Sequence, residues 1–328
     1  MPTHGAYGLT VRSSPELPGL EQVASCLPID VDLRWDGPHR VSTSLPKGQV
    51  LLQCETAERL WYVGTVNHGR RVLRFPGCCE FILDDGSIEV RAHSDPSVAL
   101  ELVQILASGA LLAFVLALRG ATVLHASAVE VDGRAIAVAG GSGRGKSTVA
   151  ALACAGGLPL LTDDLLRIDL RSSGRPWAYA GARELRLRPA AISLIDRMVP
   201  ASVRRTTDGR FAVRPPASQR PGLPLVSIAL PRPRRDLTRI AARRLPGIDA
   251  MTELLAAPRL LGWRWPTALR AQLTDLGALV DCVSVWEVAV PWGPPFAGGL
   301  ENELADVFRD LAVKGRTKQL SSRDRGSA

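Results

Sequence analysis

The sequence has few of the residues from which cysteine and histidine sites are built. It contains six cysteines and five histidines in 328 residues. No cysteines form a C-x-x-C pair and no histidine stands at metal-ligand spacing, so we expect neither a zinc site nor a disulfide framework. Reduced thiols, and a first segment without the basic and apolar regions of a secretory signal, predict a cytoplasmic protein.

Long apolar runs are also scarce. Residues 103–118 come nearest, with sixteen residues that include Gln104, Ser108 and Gly109. A helix that spans a membrane needs about 20 predominantly apolar residues. We therefore predict a buried core helix here and no membrane partner.

Acidic residues are outnumbered by basic ones, which gives a net charge of +8. This balance favours an acidic partner, such as a nucleotide or an acidic peptide. Nucleic acid carries the same charge, but the chain has no base-reading motif and its seven tryptophans are mostly scattered singly. We therefore expect no nucleic-acid partner.

Residues 140–147 fit the phosphate-binding pattern G-x-x-x-x-G-K-[ST]. An apolar run at 135–139 predicts a strand before this loop, and residues 147–154 predict a helix after it. Lys146 can reach the β and γ phosphates of a nucleotide, and the Ser147 hydroxyl can ligate Mg²⁺. The sequence thus predicts binding of a nucleoside triphosphate or a related polyphosphate with Mg²⁺. The predicted nucleotide-binding residues are Gly140, Gly141, Ser142, Gly143, Arg144, Gly145, Lys146, Ser147 and Thr148.

Two adjacent carboxylates, Asp163 and Asp164, end an apolar strand predicted just before them. Strand ends beside a phosphate loop gather at the edge of a sheet where ligands bind. One carboxylate could hold Mg²⁺ alongside Ser147, while the other accepts a proton from an attacking hydroxyl or orients a water. An aspartate pair in a turn or at a helix start is the structural alternative. His125, on a predicted strand with Ser127, is a third candidate, although such a histidine is more often a core residue.

The order of the predicted elements divides the chain into three parts. Residues 1–94 carry short alternating segments and an Asp-Asp-Gly turn, which predict a small antiparallel β-rich module. Residues 95–313 run helix, hairpin, phosphate loop, helix and apolar strand, an order typical of an α/β core. Residues 314–328 are polar and basic, and we predict a disordered tail.

These motifs together carry a resemblance to a known family. The segment 124–127, the Asp132-Gly133 turn, the phosphate loop and the motif at 162–164 follow one another as in the catalytic domain of HPr kinase/phosphorylase. The chain resembles more closely the HPr-kinase-related proteins encoded beside bacterial peptide-modification genes, including lasso-peptide clusters. The resemblance covers roughly residues 71–312.

The resemblance implies an α/β fold, a P-loop kinase core of the HPr kinase type behind a small N-terminal β-rich module. It also implies a phosphotransferase that uses ATP and Mg²⁺ to phosphorylate a serine or threonine hydroxyl, on a small protein or on a peptide such as a lasso-peptide precursor. By position, Asp163 matches the catalytic base and Asp164 its partner in the metal and histidine network. His125 matches the active-site histidine, and Lys146 the phosphate-binding lysine. HPr kinases are hexamers, so a homo-oligomer is compatible with the resemblance, although the motifs do not imply one.

One family segment is altered. HPr kinases carry an E-x-R-G segment whose glutamate helps to hold the metal, whereas residues 177–183 have alanine or tyrosine where that glutamate is expected. Arg183 and Glu184 lie close by in sequence. The resemblance therefore implies neither phosphorylase activity nor HPr as the substrate.

Three other functions fit the phosphate loop. A small-molecule kinase is one, because nothing in the sequence names the acceptor. A nucleotide-binding scaffold without catalysis is another, because the glutamate segment is altered. A transporter-type ATPase is disfavoured, since the chain has no LSGGQ-like signature and no apolar run ending in Asp-Glu downstream.

Overall fold

The computed structural model describes residues 1–14, 16–170 and 175–324 and forms two compact units. The first unit comprises Met1–Gly120 with Leu260–Ala271, and the second comprises Ala121–Arg259 with Gln272–Ala328. The division therefore falls after residue 120 and not at the boundary predicted after residue 94. A contact inside the first unit accounts for the difference, because the ring of Phe114 lies 3.2 Å from a Cβ atom built on Gly64 and so packs on the segment before residue 94.

A nine-stranded sheet forms the first unit, as far as its residues are described. Its strands are β1 (Thr3–Ala6), β2 (Leu9–Ser13), β3 (Glu21–Gln22), β4 (Val31–Pro38), β5 (Gln49–Glu55), β6 (Leu60–Asn67), β7 (Arg70–Phe75), β8 (Cys79–Asp84) and β9 (Glu89–Ser94). Their order is β3-β1-β2-β4-β9-β8-β7-β6-β5. The prediction of an antiparallel module is wrong for two pairs, because β4 runs parallel to both β2 and β9.

The apolar segment of the first unit is helical throughout. It consists of α1 (Leu100–Leu106), a π-helical turn (Ala107–Leu111) and α2 (Leu112–Leu118). By length and composition alone, this 19-residue helix could cross a membrane, and within the described residues it is the one helix of that kind. In the structure 67% of its apolar window is buried, as expected for a core helix.

The second unit holds the remaining elements. Its strands are β10 (Thr122–Leu124), β11 (Ala126–Val131), β12 (Arg134–Ala139), β13 (Leu160–Thr162), β14 (Leu166–Asp169), β15 (Trp177–Tyr179), β16 (Leu185–Leu187), β17 (Ser202–Arg205), β18 (Phe211–Arg214), β19 (Gly222–Arg234), β20 (Ala241–Arg244) and β21 (Ser284–Pro291). Its helices are α3 (Lys146–Ala155), a 3₁₀ helix (Pro189–Arg197), α4 (Gly247–Leu255), α5 (Pro266–Cys282, which begins in the segment assigned to the first unit) and α6 (Leu300–Asp324).

The main sheet of the second unit is mixed. Its central path is β10-β14-β15-β19-β12-β11-β13, with β21 paired to β19 and β20 paired to β21. Strands β12, β19 and β21 are parallel, and the other pairs in this sheet are antiparallel. A smaller sheet has the order β16-β18-β17. The unit therefore has a mixed α/β fold in which three parallel strands end at the same edge.

Helices cover both faces of this sheet, and β12 shows why. Its side chains alternate between the faces, as in any strand. Ile136 and Val138 pack in the cluster that contains α3 and α6. Ala135, Ala137 and Ala139 pack in the cluster that contains α4 and the end of α5. The strand that leads into the phosphate loop is thus buried on both sides.

The closing helix reaches into the segment that we predicted to be disordered. Helix α6 extends to Asp324 and so runs through most of residues 314–328, where we predicted a disordered tail. Buried side chains at Leu304, Phe308 and Leu311 recur at helical spacing and fix its first half to the sheet. The last four residues of the predicted tail, 325–328, lie outside the described residues.

Candidate nucleotide-binding site

The predicted phosphate loop joins the end of β12 to the start of α3. Gly140, Gly143 and Gly145 have φ angles of +144°, +81° and +87°, which side-chain-bearing residues rarely adopt. A Cβ atom on Gly145 would also lie 2.5 Å from the indole of Trp292. Helix α3 begins at Lys146, so the free N–H groups of its first turn face the loop, as in phosphate-binding helix starts.

Lys146 is buried at the base of the loop. Its Nζ donates to the Gly141 carbonyl oxygen at 3.0 Å, and only 6% of the residue is exposed. Burial lowers the pKa of Lys146 to about 8, although the charges of Asp163 and Asp164 act in the opposite direction. At neutral pH the amine is still mostly protonated, and an incoming anion would favour this charged form further.

Asp163 is the carboxylate that contacts the phosphate loop. The Ser147 hydroxyl donates to its two oxygens, at 3.1 and 3.2 Å. The Ser127 hydroxyl donates to Oδ1 at 2.5 Å, and the backbone N–H of Arg186 donates to Oδ2 at 3.2 Å. With 1% of the residue exposed, Asp163 is fixed in position by strand β11, helix α3 and strand β16.

Asp164 makes a different set of contacts, because its backbone is left-handed, with φ +69°. Its carboxylate forms an ion pair with Arg259 at 2.7 Å and lies 3.3 Å from Nδ1 of His125. Burial alone would raise the pKa of Asp164, but the charge of Arg259 and the hydrogen bond and charge of His125 outweigh it and lower that pKa strongly. Asp164 is therefore ionised at any physiological pH.

His125 is oriented by the same network. Its Nδ1 lies 2.9 Å from the backbone oxygen of Asp164 as well as close to the carboxylate. Both neighbours are acceptors, so Nδ1 carries a proton and Nε2 is the nitrogen left for other partners. The sequence candidate His125 is thus a partner of Asp164, not an isolated core histidine.

These residues line one cavity of about 240 Å³ in the second unit. The cavity brings together all four catalytic candidates, His125, Lys146, Asp163 and Asp164. Of the nine predicted nucleotide-binding residues, six line it: Ser142, Gly143, Gly145, Lys146, Ser147 and Thr148. Gly140, Gly141 and Arg144 belong to the loop but not to this lining, and Arg144 is exposed.

Several lining or contacting residues carry no local sequence signal. Arg186, Arg188 and Arg210 line the cavity, and Arg259 reaches Asp164 from 95 positions away in sequence. Arg186 and Arg210 both pair with Asp208, while Arg188 is exposed. Trp292 and Phe296 also line the cavity. These residues reach the cavity through the tertiary fold and not through a sequence motif.

The donor set fits Mg²⁺. Hydroxyl and carboxylate oxygens are the hard ligands that Mg²⁺ prefers, and this ion usually keeps only one or two protein ligands beside waters and phosphate oxygens. Ser147 supplies the hydroxyl. The resemblance made Asp164 its partner at the metal, whereas in the structure Ser147 is hydrogen-bonded to Asp163, and Asp164 contacts His125 and Arg259. Within the described residues, no group of three or more His, Cys, Asp or Glu side chains is arranged to hold a metal ion.

The segment that differs from the family pattern is part of the main sheet. Trp177–Tyr179 is strand β15, paired between β14 and β19, and Ala178 is buried. Glu184, the nearest acidic residue after it, accepts a hydrogen bond from Arg204 at 3.0 Å. Glu184 is therefore engaged with the small β16-β18-β17 sheet.

Comparisons with known proteins add little to this geometry. No family model matches the chain, and no curated protein matches it. Among solved structures, the chain is similar to the HPr(Ser) kinase/phosphatase from Coxiella burnetii, with a TM-score of 0.30 and 10% identity, over 60% of this chain and 97% of that one. A similarity at this TM-score carries no inference about fold or activity.

Proposed function

We propose that the cavity binds ATP with Mg²⁺ and that the chain transfers the γ-phosphoryl group to a serine or threonine hydroxyl of a peptide or small protein. In this proposal the second unit is a P-loop kinase core of the HPr kinase type. One observation carries the proposal: Ser147 of the glycine-rich loop is hydrogen-bonded to Asp163 of the motif at 162–164. A loop that only turned the chain would have no need of a buried carboxylate against its serine.

The loop and Lys146 would hold the phosphates. The N–H groups at the start of α3 and the left-handed glycines form a concave positive surface, and Lys146 adds a full charge. Arg186, Arg188 and Arg210 line the same cavity, and Asp208 pairs with the first and third of them, so the three arginines together add net positive charge to it. Positioning and charge neutralisation supply most of the catalysis in phosphoryl transfer, so a preorganised cationic cavity suits this reaction.

Ser147 is the side chain that would hold Mg²⁺, with Asp163 directly behind it. When bound, the ion would neutralise charge on the β and γ phosphates. In the transfer step, the acceptor oxygen forms a bond to the γ-phosphorus while the bond from that phosphorus to the β–γ bridging oxygen breaks. ADP leaves, and the hydroxyl proton passes to a carboxylate.

Asp163 is the proposed acceptor of that proton. The proton must be taken up close to the γ-phosphoryl group, and Asp163 is the carboxylate that contacts the loop. Asp164 is less suited, because Arg259 and His125 already stabilise its charge and its pKa is strongly lowered. We propose that Asp164 positions His125 and Arg259 at the cavity.

A comparison of two variants tests this division of roles. Asp163→Asn keeps the shape of the side chain but removes its ability to accept a proton, so ATP binding should persist while transfer to a peptide falls by about 10²–10⁴-fold. Asp164→Asn, the matched control, should retain more transfer than Asp163→Asn. Binding is measured by calorimetry and transfer by mass spectrometry of the peptide.

Equal transfer by the wild type and Asp163→Asn would remove the proton-acceptor assignment. A wild-type chain that binds ATP but modifies no acceptor would instead favour a nucleotide-binding scaffold, the function that the missing glutamate at 177–183 supports.

A further inference from the structure

Trp292 stands directly after the last parallel strand of the main sheet. Strand β21 ends at Pro291, paired with Arg234 of β19. The backbone N–H of Trp292 then donates to the Arg234 carbonyl oxygen at 2.9 Å. Ligands of α/β sheets bind beyond the carboxyl ends of parallel strands, which is the edge where Trp292 and the phosphate loop both lie.

The indole ring packs against the phosphate loop through one end of its six-membered ring. The atoms nearest to a Cβ built on Gly145 are Cη2, Cζ2 and Cζ3, at 2.5, 3.1 and 3.3 Å. These three atoms are adjacent at the outer end of the six-membered ring, so this contact involves one end of the indole. Trp292 is half-buried and lines the same cavity as Lys146 and Thr148.

A second aromatic ring holds the indole in place. Phe296 is buried and meets Trp292 at a centroid distance of 5.5 Å with an interplanar angle of 79°. This edge-to-face arrangement is a favourable one for aromatic pairs. Pro294 and Phe296 also line the cavity, so an apolar and aromatic wall adjoins the phosphate-binding residues.

We propose that Trp292, held by Phe296, is the surface on which the base of the bound nucleotide stacks. This inference rests on the proposed function, since it concerns the same nucleotide. In a nucleoside triphosphate the base is joined to the phosphates through one ribose, so its site must adjoin the phosphate site. Aromatic side chains bind bases by stacking, and tryptophan offers the largest face.

The test compares two ligands that differ by the nucleoside. Calorimetry on the full chain measures the affinity for ATP and for inorganic tripolyphosphate, each with Mg²⁺. The wild type should bind ATP at least about tenfold more tightly. Trp292→Leu should weaken ATP binding by about tenfold and leave tripolyphosphate binding unchanged, while Trp292→Phe should retain most of the ATP affinity. Trp61→Leu, a change of an exposed tryptophan in the first unit, is the control and should match the wild type.

Each result decides the question. Equal ATP affinity in the wild type and Trp292→Leu would overturn the base site. An equal loss of affinity for ATP and for tripolyphosphate would also overturn it, because Trp292 would then only pack against Gly145. If Trp292→Leu does not fold, the wild-type comparison stands alone, and equal affinities for ATP and tripolyphosphate overturn the proposal. Failure of the wild type to bind either ligand would refute the phosphate-loop function itself, and with it the base site.

Discussion

The neighbouring carboxylates of Asp163 and Asp164 make different contacts, which their adjacent positions in the sequence do not suggest. Both were predicted to serve the site, and both line its cavity. The sequence does not reveal which carboxylate makes which contacts. These depend on the left-handed backbone of Asp164 and on Arg259, which lies 95 positions later. Asp163 is therefore the carboxylate hydrogen-bonded to Ser147, although the resemblance gave the metal partner of Ser147 as Asp164.

The pKa of Lys146 leads to a prediction about pH. Below about pH 8 the free protein carries a charged Lys146, and above it the amine becomes neutral. A bound triphosphate favours the charged form, so ATP binding should take up a proton above pH 8. The ATP affinity should be nearly constant from pH 7 to 7.5 and should then fall, approaching tenfold per pH unit near pH 9.

Calorimetry in buffers of different ionisation enthalpy measures both the affinity and the proton uptake. Lys146→Arg, which stays charged throughout, is the control and should show neither the fall nor the uptake. A wild-type affinity that does not change between pH 7 and 9.5 would be incompatible with a functional Lys146 of lowered pKa.

Single elements were predicted better than their pairing. The strand and helix expected around the phosphate loop are confirmed as β12 and α3, since the apolar run, the glycines and the helix start are all local signals. The mixed sheet was not predictable in detail, because the parallel partners of β12 and β19 come from distant segments. The pairing of β21 with β19 brings Trp292 to the loop, and no local sequence pattern predicts this position.

Two glycines of the loop allow a test of the contact between Gly145 and Trp292, with Gly143 as the control. Gly143→Ala and Gly145→Ala both place a side chain at a positive φ, which costs roughly 1–2 kcal/mol. Nothing lies within 4 Å of a Cβ on Gly143, whereas a Cβ on Gly145 overlaps the indole of Trp292. Gly145→Ala should therefore weaken ATP binding by more than tenfold and by clearly more than Gly143→Ala, as calorimetry would measure. Equal losses would mean that the overlap of the new Cβ with Trp292 is relieved without disturbing the loop.

The whole chain has two units, and the proposed site uses residues of one. We predicted a β-rich module, an α/β core and a tail, with the first boundary after residue 94, whereas the structure divides into two units after residue 120. The first unit takes in residues 260–271 from late in the chain, and a sequence read in order does not reveal such a non-contiguous unit. The residues that the sequence singled out all fall in the second unit.

Hydrogen exchange tests this assignment on the intact chain. Saturating ATP with Mg²⁺ should slow amide exchange in residues 140–148, 162–164 and 292–296, because a ligand that binds the native state suppresses local opening. Strands β5 to β8 of the first unit should exchange at unchanged rates. Protection of those strands without protection of the loop would place the nucleotide elsewhere.

Phosphoryl transfer from ATP to a hydroxyl can be measured in a single assay. The chain is incubated with γ-labelled ATP, Mg²⁺ and a set of short peptides that contain serine and threonine, each in its native form and with those residues replaced by alanine. We expect one added phosphate on a native peptide, none on its alanine form, and none from Lys146→Ala. ATP that is bound but yields neither ADP nor a labelled peptide would contradict the account.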